Sequence, residues 1–131
     1  MKLIVKQSSL SGEAEIPSSK SHTIRAVVIA SLATGRSRII KPLDSADTRS
    51  ALFLSRALGA GVETGEDWLI SGTSGVPHAP EDVIDVGNSG TSLRLGMGIA
   101  ALCRGYTIFT GDHQIRRRPV QPLIEAYRLL G

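Results

Sequence analysis

Two stretches of the chain are almost wholly apolar, and each follows a short polar cluster. "PSSKSHTIR" (17–25) runs into "AVVIASLA" (26–33), and "GNSGTSLR" (87–94) runs into "LGMGIAALC" (95–103). Ile24, Val27, Val28, Ile29 and Leu32 fall on most sides of a 3.6-residue period. This predicts a helix over 21–34, buried on more than one face and ended by Gly35. The second run predicts another buried helix. Gly96 and Gly98 inside it lower its intrinsic propensity, which implies close packing against a neighbour.

The remaining elements follow from shorter patterns. "KLIVKQ" and "GEAEIP" read as two short strands around a Ser-Ser-Leu-Ser-Gly turn. "RSRIIKP" is a strand stopped by Pro42, and "SADTRSALFLSRALGAG" is a helix with Ser45 or Asp47 as N-cap and Gly59 at its end. "GVET" and "DWLIS" form a hairpin around Gly65, and "GTSGVPHAPED" is a Gly- and Pro-rich loop. "YTIFTGD" is a strand, and 119–130 is a final helix with Pro119 in its first turn.

This order contains a repeat. "SRALG" (55–59) returns as "YRLLG" (127–131), and "TGRSRIIKP" returns as "RGYTIFTGD" about 70 positions later. Lys20-Ser21 with Arg25 and Ser89-Gly90 with Arg94 lie 69 apart. The unit is polar turn, helix, strand, helix, used twice, which argues for an α/β architecture built by duplication. The first unit continues into strands after "SRALG", whereas the sequence ends at "YRLLG"; a fragment of a longer protein is therefore expected.

Composition narrows the class. With 131 residues, 41% hydrophobic and 21% charged, the chain is long enough for one packed domain and poor in the features of disorder. No apolar run reaches bilayer length, and the apolar part of "MKLIV" is too short for a signal peptide. The single cysteine, Cys103, leaves no internal disulfide and reads as a small buried hydrophobe, pointing to a reducing, cytoplasmic setting. Eleven of the fifteen cations are arginine, the residue suited to gripping carboxylate or phosphate in a fixed geometry. The net charge is only +3 and five residues are aromatic, which disfavours nucleic acid as a partner.

Both polar clusters sit where an anion site forms. The first N–H groups of a helix have no partner within it, and the helix dipole adds partial positive charge there. At the first mouth Lys20 and Ser21 stand at the helix start, with Arg25 one turn on and on the same side. At the second, Asn88, Ser89 and Thr91 offer donors, while Gly87 and Gly90 let a ligand approach the backbone; the terminal Gly-Lys-Ser/Thr of a nucleotide loop is missing. The plain alternatives are an N-cap at Ser21 with a solvated Lys20, and an ordinary capped loop at 87–91. In "IRRRPV" the plain reading is a solvated basic run. Arg118 is the candidate for facing a ligand because Pro119 restricts its backbone. Asp44 reads as a turn residue. No Cys, His or carboxylate spacing has the form of a metal site, and His22, His78 and His113 are scattered.

"PSSKSHTIRAVVIASLATG", "LDSADT", "GNSGTSLR" and "RRRP" stand in the order and spacing of the enolpyruvyl transferases, and the chain resembles that family from about Gly12 to its end. Within the family it is most similar to the members that act on shikimate 3-phosphate. The resemblance implies an α/β fold of two globules, each of repeated βαβαββ units in an inside-out α/β barrel. Residues 1–19 would be strands belonging to the second globule, and 20–131 an incomplete first, substrate-binding globule. It implies transfer of the enolpyruvyl group from phosphoenolpyruvate to the 5-hydroxyl of shikimate 3-phosphate with release of phosphate, in the pathway to chorismate and the aromatic amino acids. It further implies no metal or organic cofactor, no nucleic-acid or membrane partner, a monomeric full-length enzyme and a cytoplasmic location.

By the same resemblance, Lys20 contacts both substrates and serves in proton transfer. Ser21 and Arg25 hold the shikimate moiety, Arg118 grips phosphoenolpyruvate, and Asn88 and Gly90 border its subsite. Asp47, Thr91 and Arg94 match the motifs with supporting roles. Ser18, Ile24, Leu95 and Gln114 depart from the usual pattern at glycine, polar, proline and arginine positions respectively. Retention of Gly90 implies a glyphosate-sensitive full-length enzyme. The related transferase acting on a UDP-linked amino sugar normally carries Lys-Asn where this chain has Lys20-Ser21, and a polyanion-binding module built on Arg116–Arg118 is the non-enzymatic alternative. Alone, the chain holds one wall of a cleft and is expected to be inactive.

Overall fold

The computed structural model describes residues 2–9 and 11–131. Its elements run α1 (Lys20–Leu32), β1 (Arg36–Ile39), α2 (Ala46–Ala57), β2 (Gly61–Glu63), β3 (Trp68–Ser71), β4 (Ile84–Asp85), α3 (Gly90–Ala100), β5 (Phe109–Thr110), a 3₁₀ turn (Ile115–Arg117) and α4 (Gln121–Leu130).

β1, β3 and β2 form an antiparallel sheet in that order, with β2 and β3 as the expected hairpin. β4 and β5 pair in parallel, joined through α3. β4 has no counterpart among the elements the sequence predicts; "VIDV" is a continuous apolar-acidic run with too little alternation to announce a strand. "YTIFTGD" yields a ladder only at Phe109–Thr110.

The helices begin and end where their chemistry dictates. Ser19, not Ser21, caps α1, its hydroxyl accepting from the His22 N–H. α2 begins with a capping box: Ser45 accepts from the Thr48 N–H, and Thr48 Oγ1 accepts from the Ser45 N–H at 2.9 Å. It ends in a Schellman motif, with Gly59 N–H donating to Arg56 O and Ala60 N–H to Ser55 O, and Gly59 at φ 100°. The end of α1 is closed from outside. The loop at 73–75 donates three N–H groups to the carbonyls of Ser31, Ala33 and Leu32 at 2.8–3.1 Å. This brings Gly72 so close that a Cβ there would lie 2.1 Å from the Ala33 carbonyl oxygen. The Gly-rich loop therefore serves as a cap for α1.

Two apolar clusters hold the elements together. Ile24, Val27, Ala51, Leu52, Trp68 and Ile70 join α1 and α2 to the three-stranded sheet. Leu54, Leu58, Ile84, Val86, Leu93 and Ile115 join α2 and α3 to β4. Both expectations for the helical glycines are met: a Cβ at Gly96 would fall 2.6 Å from Leu54 Cδ1, and one at Gly98 would fall 2.9 Å from the Tyr127 hydroxyl.

The repeat is visible, but its two copies are unequally buried. Leu58 at the end of α2 is 1% exposed, whereas its counterpart Leu130 at the end of α4 is 83% exposed. The strands expected at 2–7 and 12–17 form no ladder within the described residues, and Leu3, Ile4, Val5 and Ile16 are all at least 80% exposed. A strand exists only through a partner's backbone, and an isolated pair of short strands is marginal in water. Leu10, in the expected turn, lies outside the described residues. The segment touches the body near Lys41, where Glu15 Oε1 lies 3.8 Å from Lys41 Nζ.

Candidate functional site

The N-termini of three helices converge on one open cavity of about 530 Å³. Lys20 comes from the first turn of α1, Asp47 from the first turn of α2, and Gly90 and Thr91 from the first turn of α3. Asn88 and Arg118 complete the wall. The sequence pattern marked two helix mouths; α2 contributes a third, because Ser45 starts that helix with Asp47 already in its first turn. Each such N-terminus favours a nearby negative charge by about 0.3–1 kcal/mol. Three facing one cavity, with Lys20 and Arg118 set against the single carboxylate of Asp47, give it an environment that favours a small anion.

Asp47 organises the cationic side of this cleft. Its Oδ2 lies 2.8 Å from Lys20 Nζ, and its backbone carbonyl accepts from the Ser92 hydroxyl at 3.3 Å. The bond from Lys20 holds the Asp47 carboxyl below the usual carboxylate range against the opposing effect of burial, with smaller help from Ser89 and Arg118. Asp47 therefore stays ionised and holds Lys20 at the junction of α1 and α2.

Opposite it, Arg118 reaches over Gly90. A Cβ on Gly90 would lie 2.7 Å from Arg118 Nη1 and 3.2 Å from Arg94 Nη1, so glycine here is a matter of space. Arg118 follows the 3₁₀ turn, whose start is fixed by Asp112. Oδ1 of Asp112 accepts from the Gln114 and Ile115 N–H groups, each at 2.9 Å, and the Asp112 N–H donates to Gly87 O. Asn88 Nδ2 donates to Gln114 Oε1 at 3.2 Å across the mouth.

The structure thus brings together Lys20, Asp47, Asn88, Gly90, Thr91 and Arg118. Ser21 and Arg25 do not line this cavity; both are exposed on α1. Arg94 stands behind the wall, bonded to Gly90 O and Pro119 O. The sequence pattern does not mark Ser50, which lines the cleft, or Asp112, which shapes it; Gln114, marked only as a departure from an arginine position, also lines it. An Asp two and three residues before the N–H groups it accepts from is a turn signal, and it was readable in "GDHQI". Asp44, expected in a turn, lies in the irregular link just before the Ser45 cap, clamped by Arg49 through two hydrogen bonds of 2.7 and 2.8 Å. Cys103 donates to the His78 carbonyl at 3.3 Å, and burial pushes its thiol pKa up, away from nucleophilic use.

The chain as a whole is similar to known proteins. The profile of EPSP synthase (3-phosphoshikimate 1-carboxyvinyltransferase) covers residues 4–131. The chain is 54% identical over 132 residues to the 3-phosphoshikimate 1-carboxyvinyltransferase of Acetivibrio thermocellus, matching 100% of this chain and 31% of that protein. It is 48% identical over 128 residues to that of Methanothermobacter thermautotrophicus, matching 98% of this chain and 30% of that protein. The solved EPSP synthase of Acinetobacter baumannii superposes with a TM-score of 0.85 at 28% identity, over 92% of this chain and 28% of that one. The chain spans about a third of the length of these relatives. Its motifs, its α/β fold and its sequence agree, and the chain belongs to the EPSP synthase family.

Proposed function

We propose that this chain supplies one wall of the active site of an enolpyruvyl transferase that moves the enolpyruvyl group of phosphoenolpyruvate to the 5-hydroxyl of shikimate 3-phosphate. The convergence of three helix N-termini, Lys20 and Arg118 on one cavity supports the reading most directly. Both substrates are anions, and a preorganised cationic wall stabilises charge without reorganising as the reaction proceeds. The acceptor hydroxyl gives up its proton as its oxygen adds to C2 of phosphoenolpyruvate, and the methylene carbon C3 gains a proton, so that the addition is proton-neutral overall. Loss of phosphate from C2 and of a proton from the new methyl group then restores the double bond.

In this reading Arg118 binds the phosphoenolpyruvate anion beside Gly90 and Asn88. Lys20, held by Asp47, stands between the two substrates and serves in proton transfer. Ser21 and Arg25, exposed on α1, hold the shikimate moiety, and Thr91 supports the α3 mouth. The remaining catalytic groups come from an opposing wall. One wall cannot exclude water or position two reactants, so the chain alone is inactive in transfer. Residues 1–19 are the part that joins a second globule as strands, 20–131 being part of the first; the complete enzyme is a cytoplasmic monomer. Ser21 in place of asparagine favours shikimate 3-phosphate over a UDP-linked amino sugar as acceptor.

A chimera tests this. The matching stretch of the Acetivibrio thermocellus relative is replaced by residues 1–131, and phosphate release from phosphoenolpyruvate is followed with each acceptor. Turnover with shikimate 3-phosphate and none with UDP-N-acetylglucosamine is expected, together with inhibition by glyphosate at limiting phosphoenolpyruvate. A folded chimera with the reverse preference, or with no turnover, contradicts the reading.

A further inference from the structure

Two guanidinium groups close on Gly90, and only one of them lines the cleft. Arg118 is exposed and reaches the cavity, whereas Arg94 is half-buried behind it. Arg94 Nη1 donates to Gly90 O at 3.2 Å, and Nη2 donates to Pro119 O at 3.3 Å. One planar fork therefore joins the first turn of α3 to the Pro119–Val120 peptide, one residue beyond Arg118.

That peptide needs such a tie. Arg118 lies in the link between the 3₁₀ turn and α4, with extended backbone at φ −75° and ψ 129°. Upstream it is held by its own N–H, which donates to Ile115 O at 3.0 Å. Downstream comes Pro119, which has no N–H to donate, so its carbonyl is the handle by which the link is gripped. A long arginine side chain holds a fixed pose over Gly90 only if its backbone is fixed at both ends.

We infer that Arg94 is a positioning residue, clamping the Arg118–Pro119 link to the first turn of α3 so that the Arg118 guanidinium is held over the Gly90 backbone. The inference rests on the anion-site reading for its functional meaning, but the clamp itself is a property of the ligand-free chain. Charge alone does not make it. Lysine carries the same charge but presents a single ammonium, which cannot span two carbonyls in the geometry of a fork.

The test uses the 131-residue chain with Arg94→Lys and Arg94→Gln, their folding checked by far-UV circular dichroism. In the ligand-free proteins the order of the Arg118 Nε–Hε group is read by ¹⁵N heteronuclear NOE. In the ligand-bound state phosphoenolpyruvate is titrated against each variant, with and without Arg118→Gln. The clamp predicts an ordered Arg118 ε group in the wild type and loss of that order in both variants. It also predicts about tenfold weaker binding of phosphoenolpyruvate in both, and no further weakening by Arg94→Lys once Arg118 is glutamine. An Arg118 group equally ordered in wild type and Arg94→Lys overturns the clamp, as does additivity in the double variant. If the order is lost as expected but wild-type chain binds no phosphoenolpyruvate, the anion-site reading fails and the clamp stands.

Discussion

Lys20 Nζ lies 2.8 Å from Asp47 Oδ2, and this bond joins the first turn of α1 to the first turn of α2 at the edge of the cleft. The pair is half-exposed, so it is worth a few tenths to about 1 kcal/mol. Because the folded-state pKa of Asp47 is depressed, chiefly by Lys20, its contribution is present above the unfolded carboxylate value near 4 and is lost as pH falls through the lower folded value. Asp47→Asn removes that dependence. Urea midpoints from pH 7 down to pH 2 are expected to show wild type ahead of the variant by no more than about 1 kcal/mol at neutrality, with the gap closing below pH about 4. A gap that persists unchanged to pH 2 contradicts the assignment.

Gly90→Ala is expected to separate stability from binding. The new Cβ meets the far end of Arg118, a flexible side chain that can swing away, 2.7 Å from Nη1. Alanine within a helix is favoured over glycine by up to about 1 kcal/mol, so the melting temperature should hold or rise. Phosphoenolpyruvate affinity should fall because Arg118 is displaced. Calorimetric titration and a thermal melt on the same preparation check both halves, and unchanged affinity argues against Arg118 as the anion's partner.

The two close approaches made by Gly72 and Gly96 should rank by what the added methyl meets. At Gly96 it meets Leu54 methyl groups at 2.6 and 2.8 Å, which can repack, and overpacking of this kind costs about 1–3 kcal/mol. At Gly72 it meets the Ala33 and Ala30 carbonyl oxygens at 2.1 and 2.5 Å, which are rigid backbone, and displacing the loop also uncaps α1. Gly72→Ala is therefore expected to lower the urea midpoint more than Gly96→Ala. The reverse order contradicts the capping role of the loop.

Much of this organisation was legible from the chain. The apolar runs located α1 and α3, Ser45 and Gly59 bounded α2, and Gly96 announced the packing against Leu54. What the sequence hid depends on partners distant along the chain. β4 is a strand only because β5 lies beside it, and 2–7 pairs with no strand among the described residues. The cap on α1 comes from a loop some 40 residues on, with Thr73 N–H donating to Ser31 O. At the site, the motifs named the side chains, but the meeting of Lys20 with Asp47, and of Arg118 with Gly90, is set by how α1, α2 and α3 pack. Periodicity along one segment carries no information on that.

In the proposed function the mouths of both repeats form a single anion site. The most direct test is a ¹H–¹⁵N titration of the chain with phosphoenolpyruvate, following the amides of Lys20 in α1, Asp47 in α2, and Gly90 and Thr91 in α3. All four are expected to shift together along one binding curve with a common Kd. Shifts confined to α3, or different Kd values for α1 and α3, would contradict it.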